Sequence, residues 1–165
     1  MAKSDRFLLL IVSGIILLVI ASLIVSLRRP EVAYKTGNSP TDVVHNYLLA
    51  LSREDYDRAL AALDPAIKSL PEDAMSLQAD IRYNSWFFRV DQDHSLEILS
   101  QEIQGQKAQV VVQELQFYRN GPFGGSQTTT KFTVFLTLVE DSWKISGSEA
   151  YFADCWRSDS GCGGK

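Results

Sequence analysis

The chain has 165 residues and a formal net charge of −4, a length that fits one domain with an appendage. Two of its 16 cations (Lys3 and Arg6) and one of its 20 acids (Asp5) precede Arg28, so the remainder carries 14 cations against 19 acids, a formal −5. That balance argues against nucleic acid as a partner and against an electrostatic grip on anionic lipid.

In chain order, residues 1–6 form a short leader. Phe7 to Leu27 then run without a charge. A helix over this run has a length of roughly 30 Å at about 1.5 Å per residue, the thickness of a bilayer's hydrocarbon core. Lys3 and Arg6 flank one end, Arg28 and Arg29 the other. The expectation is a single transmembrane helix over 7–27 that makes the membrane a partner. A buried core helix seldom runs so long. A cleaved signal peptide is the competing reading, with small residues near Val19 and Ala21. The apolar run continues past that point, beyond the usual core of about 7–15 residues, so a signal anchor is the better description. The positive charges on the two sides lean slightly towards a cytoplasmic C-terminal part. The short leader and a cysteine pair lean the other way, and the expected location is a single-pass cell-membrane protein with an extracytoplasmic domain.

Residues 28–38 carry Pro, Gly and charge without periodicity and read as a tether. A domain is expected over 39–152. Ser39-Pro40-Thr41-Asp42 is a helix start, with a capping serine, proline at the first helical position and an acid in the first turn. Val43, Val44, Tyr47, Leu48 and Leu51 then share one helical face. Tyr56, Ala59, Leu60 and Leu63 mark a second helix that Pro65 stops, and a third runs from about Glu72 to Arg82. The period then changes. Strands are expected from Leu96 to Gln104, from Val110 to Tyr118, from Thr128 to Val139 and through Trp143, Ile145 and Gly147. Turns fall at Asn120–Gly125 and at Asp141-Ser142. Helices first and adjacent strands afterwards give an α+β fold, with about three helices on one face of an antiparallel sheet of about four strands.

The stretch SPTDVVHNYLLALSREDYDRALAAL resembles the opening of the nuclear-transport-factor-2-like superfamily, in which an acidic turn ends the first helix and an aspartate-aromatic pair, here Asp55-Tyr56, begins the second. The resemblance implies a cone with a pocket at its mouth. The superfamily spans isomerases, dehydratases, cyclases and domains without catalysis, so it bears on fold far more than on function. Its catalytic members place carboxylates, Tyr or His inside the cone. Here Asp42, Tyr47, Asp91, Asp93, His94 and Tyr118 are loose candidates that match no catalytic motif, and Asp42 has a capping role instead. As pocket candidates the chain offers Tyr47, Trp86, His94, Tyr118 and Phe135, with Tyr47 equally at home in the core.

His45 and His94 are the only histidines, and no metal-ligand spacing is present; no cofactor is expected. Cys155 and Cys162 are the only cysteines. In a tail over 153–165 that reads as flexible, an even count in an oxidising compartment points to a disulfide, against the alternatives of two free thiols or part of a metal site. The leading functional expectation is a membrane-tethered, non-catalytic module that binds a small apolar ligand or a protein partner. An isomerase- or dehydratase-type enzyme and an accessory subunit of a larger membrane complex are the alternatives.

Overall fold

The structure, a computed structural model, describes residues 3–27, 32–85, 94–119 and 125–162, with side chains at 8–24, 32–85, 95–118 and 125–162. The chain divides into two compact units, Met1–Ala33 and Tyr34–Lys165.

In the first unit, α1 (Lys3–Leu27) is a helix of 25 residues. Every described side chain along it, 8–24, is exposed. Over the described residues alone, no helix is long and apolar enough to cross a membrane. The helix is therefore supported and the expected span is not.

The second unit begins with a pinned segment rather than a free tether. The Tyr34 hydroxyl donates to Asp55 at 3.1 Å, and the Arg58 guanidinium stacks 3.8 Å from the Tyr34 ring centre. Asn46 exchanges two hydrogen bonds of 2.8 Å with the backbone of Lys35. The Asn38 amide reaches the Asp141 carbonyl at 2.7 Å.

Helix α2 (Pro40–Ser52) starts as its sequence requires. The Ser39 hydroxyl accepts from the Asp42 backbone N–H and donates to the Asp42 carboxylate at 2.6 Å. That bond holds the Asp42 carboxyl below its ordinary range. Val44, Tyr47, Leu48 and Leu51 are buried, so the apolar stripe is the packed face.

Helix α3 (Tyr56–Ala61) is shorter than its apolar spacing predicts. The reason is tertiary. Leu63 forms a parallel bridge to Ile145; Ile145 N–H donates to the Ala62 carbonyl at 2.9 Å, and Asp64 N–H donates to the Ile145 carbonyl at 2.8 Å. Residues 62–64 thereby leave the helix to pair with the edge of the sheet. Helix α4 (Ala74–Asn84) is capped by Asp73, whose carboxylate accepts from Ser76 N–H.

The sheet is an antiparallel meander in the order β1-β2-β3-β4, formed by β1 (His94–Gln104), β2 (Lys107–Arg119), β3 (Gly125–Val139) and β4 (Ser142–Ser148). Bulges interrupt β1 between Ile98 and Ser100 and β4 between Ile145 and Gly147, opposite Leu136 and Phe135, and bulges bend a strand and increase its twist. Glu140 and Asp141 both take positive φ, at 46° and 64°, which is the requirement of a two-residue hairpin between right-twisted strands. The turn thus falls one residue earlier than expected. The turn expected at Asn120–Gly125 lies outside the described residues apart from Gly125, which begins β3. Helix α2 lies against β1, β2 and β4. Val110, Val112, Phe132, Val134, Leu136 and Ile145 face it, all buried, whereas Gln109, Val111, Thr133 and Thr137 on the opposite side are partly or fully exposed.

The expected flexible tail is instead a packed one over 153–162. A single 3-10 turn spans Asp154–Arg157. Trp156 is fully buried, packs edge-on against Phe152 and donates its indole N–H to Asp80 of α4 at 2.7 Å. Ser69 receives the tail twice, through the Trp156 carbonyl and the Ser158 carbonyl. Cys155 and Cys162 form a disulfide, as the even cysteine count predicts. The tail lacks apolar residues in number, but one tryptophan buries enough surface to order it.

Leu136 is 1% exposed at mid-strand. Leu136→Ala should cost about 2–5 kcal/mol in chemical denaturation, the range for truncation in a packed interior. Thr137→Ala, on the opposite face, should cost far less; equal losses would mean that both faces of the sheet are covered.

Candidate ligand site

The inner face of the sheet changes character along β2. Ala108, Val110 and Val112 alternate inward and are buried. The same period of two then delivers Glu114, Gln116 and Tyr118 to that face. Glu114 is 2% exposed, whereas Gln116 and Tyr118 are half-buried. The three form a hydrogen-bonded file: the Tyr118 hydroxyl donates to Gln116 Oε1 at 2.5 Å, and Gln116 Nε2 donates to Glu114 Oε1 at 3.1 Å.

A second donor converges on the same oxygen. The Tyr151 hydroxyl donates to Glu114 Oε1 at 2.6 Å. Tyr151 sits just past the sheet in left-handed backbone, φ 57°, a conformation that costs a non-glycine residue of order 1–3 kcal/mol. It is held there from both ends. Its hydroxyl is on Glu114, and its carbonyl accepts from the buried Tyr47 hydroxyl of α2 at 2.6 Å. Its ring packs against Phe132 with centres 5.6 Å apart. One residue thus joins helix, sheet and tail. Glu114 Oε2 is buried and finds no hydrogen-bond partner among the described residues.

Of the residues proposed from sequence, Tyr118 belongs to this file. Tyr47 touches the site only through the Tyr151 carbonyl and is otherwise core. Phe135 is a correction: strand alternation puts it on the outer face, paired in register with Gln109 and Gly147, away from Glu114. His94 stands opposite Gln116 in register, but its side chain lies outside the described residues. Trp86, Asp91 and Asp93 lie outside them altogether. Asp42 serves the α2 cap and pairs with Lys35 at 3.6 Å. Among the described residues no cluster of His, Cys, Asp or Glu could hold a metal ion. Glu114 and Tyr151 are missed by sequence reasoning, although the alternation from Val110 through Val112 points straight at Glu114.

No protein family's sequence pattern matches the chain, and no curated protein matches it. Solved structures do. A putative calcium/calmodulin-dependent protein kinase type II association domain from Thiobacillus denitrificans aligns at a TM-score of 0.50 and 10% identity, over 70% of this chain and 96% of that one. A SEC-C motif containing protein from Rhodopseudomonas palustris aligns at 0.49 and 20% identity, over 70% and 81%. An NTF-2 like protein of unknown function from Shewanella oneidensis aligns at 0.44 and 16% identity, over 67% and 97%. At 10% identity the likeness to the association domain bears on the fold alone.

Burial pushes the Tyr47 hydroxyl well above the ordinary tyrosine value of 10.0. The Tyr151 hydroxyl is raised too, by burial first and then by its hydrogen bond to Glu114 and the adjacent negative charge. Both folded-state values lie above the unfolded ones, so above about pH 10 the unfolded chain binds fewer protons than the native one and stability falls as pH rises. Each tyrosine should contribute a slope of about 1.4 kcal/mol per pH unit there. Tyr47→Phe should lower stability at neutral pH by about 0.5–1.5 kcal/mol and make the alkaline slope shallower, measured by urea denaturation between pH 9 and 11; an unchanged slope would refute the assignment.

Proposed function

We propose that this chain is a membrane-tethered, non-catalytic binding module of nuclear-transport-factor-2-like fold, with α1 as a single-pass anchor and the inner face of the sheet as the ligand site. The anchor reading rests on the uncharged run from Phe7 to Leu27, 21 residues within a helix of 25. A helix apolar on every side must be covered, and at that length lipid suits it. The disulfide favours an extracytoplasmic domain, because an oxidising compartment preserves such a bond and the cytosol reduces it.

The observation that carries the binding reading is the buried Oε2 of Glu114, which has no hydrogen-bond partner among the described residues; the Ser85 hydroxyl is the other such atom. Buried polar atoms are nearly always paired, so one that is not is a place where a ligand can supply the partner. A second reading, an enzyme of isomerase or dehydratase type, draws on the same pair: a carboxylate beside a phenol could take a proton next to a carbonyl. Turnover of steroid-like or hydroxy-acyl probes that vanishes in Glu114→Gln would favour it, and binding without turnover favours the module.

Two measurements test the tether. The full chain should stay with membranes through alkaline carbonate washing, and a chain lacking residues 1–33 should be released and unfold cooperatively. An unfolded truncation would mean that the first unit completes the domain's core. Protein alkylated in its native membrane before reduction should yield a 153–165 peptide with Cys155 and Cys162 joined. Two alkylated cysteines would place the domain on the reducing side.

A further inference from the structure

We propose that Glu114 is the recognition group for a cationic ligand, a small organic ammonium with an apolar body; this rests on the binding-module reading and names its ligand class. Two neutral donors, the Tyr151 hydroxyl and the Gln116 amide, converge on Oε1, the arrangement an acceptor-only carboxylate requires. Neither brings a positive charge. Among the described residues no lysine, arginine or histidine pairs with Glu114, and Oε2 accepts nothing. A carboxylate 2% exposed and without a counter-ion is costly to bury. An ammonium seated on Oε2 satisfies its lone pairs and its charge together, through a bond roughly twice as strong as a neutral one.

The surroundings fit the rest of such a molecule. Leu96 stands opposite Glu114 in register on β1 and is half-buried, as is Ile98. These two offer apolar area beside the carboxylate. The file from Glu114 through Gln116 to Tyr118 runs from buried to half-buried, so a polar lane leads from the carboxylate towards solvent. The formal −5 of the chain beyond Leu27 draws cations and repels anions. The left-handed Tyr151, braced at both ends, fixes the position of Oε1 and so aims Oε2. Strain held by its surroundings in this way is typical of ligand sites.

The test uses the full chain in phosphatidylcholine nanodiscs, a neutral surface that does not itself attract amines. Benzylamine, benzyl alcohol and benzoate share a ring and differ in head group, and their binding is read by ligand-observed saturation-transfer NMR. Benzylamine should bind about tenfold or more tightly than benzyl alcohol, a difference of about 1.4 kcal/mol or more, and benzoate should give no signal. Glu114→Gln should lose the preference for the amine while keeping the wild-type circular dichroism spectrum. Benzyl alcohol or benzoate binding as tightly as benzylamine overturns the ligand class and leaves the binding module standing. Amine preference that survives Glu114→Gln overturns the assignment to Glu114. No binding by any of the three overturns both the class and the module. Should Glu114→Gln fail to fold, the wild-type ranking of the three probes decides alone.

Discussion

The interior of the domain depends on how Tyr151 is held. Its backbone lies where side chains are disfavoured, and only bonds made elsewhere in the chain keep it there. Tyr47 reaches it from α2 across 104 positions of sequence, and Glu114 from β2 across 37. Without the first, the chain leaving β4 loses its bond to α2. Without the second, the buried phenol loses its bond to the carboxylate. The tail that follows, with Phe152 and Trp156 packed edge to face, takes its direction from this point. The same residue that terminates the sheet therefore also places the last part of the core.

Buried polar groups in such a position trade stability for definition. Replacing paired polar groups by apolar ones of similar shape is often neutral or better, so a core built only to be stable has no use for a carboxylate at 114. Its presence costs something that the two donors on Oε1 offset only in part. Function is the natural account of the remainder, and the fold's layering explains why it is located there. Helices cover one end of the inner face with Leu48, Leu51 and their neighbours, and β2 runs on past that cover towards Gln116 and Tyr118.

Much of this was legible in the sequence, and the failures have physical causes. Ser39, Asp42 and the stripe through Val44, Tyr47 and Leu51 encode α2 locally, because caps and helical spacing are short-range properties. The four strands are legible for the same reason, in their period of two. The end of α3 is not, since Leu63 leaves its helix for a bridge to Ile145, 82 positions away. The packed tail hides for a similar reason: Trp156 has its partner at Asp80, and nothing near it in sequence announces that. Glu114 was legible in principle. An acid in phase with Val110 and Val112 is a buried acid, but alternation is usually read for its apolar members. The anchor remains a matter of sequence length and composition.

The closing of one sheet edge has a consequence for crowding. Residues 62–64 occupy the outer side of β4, so among the described residues β1 is the edge that remains for another chain to join. A second copy approaching it antiparallel, centred between Leu99 and Ser100, would set Glu97 of each chain opposite Glu102 of the other. Like charges face to face disfavour that pairing, and the bulge at Ile98/Ser100 spoils its register. Edge-to-edge aggregation is thus discouraged at the place where the fold would otherwise invite it, and copies of the domain can be kept at high local concentration without growing into a common sheet.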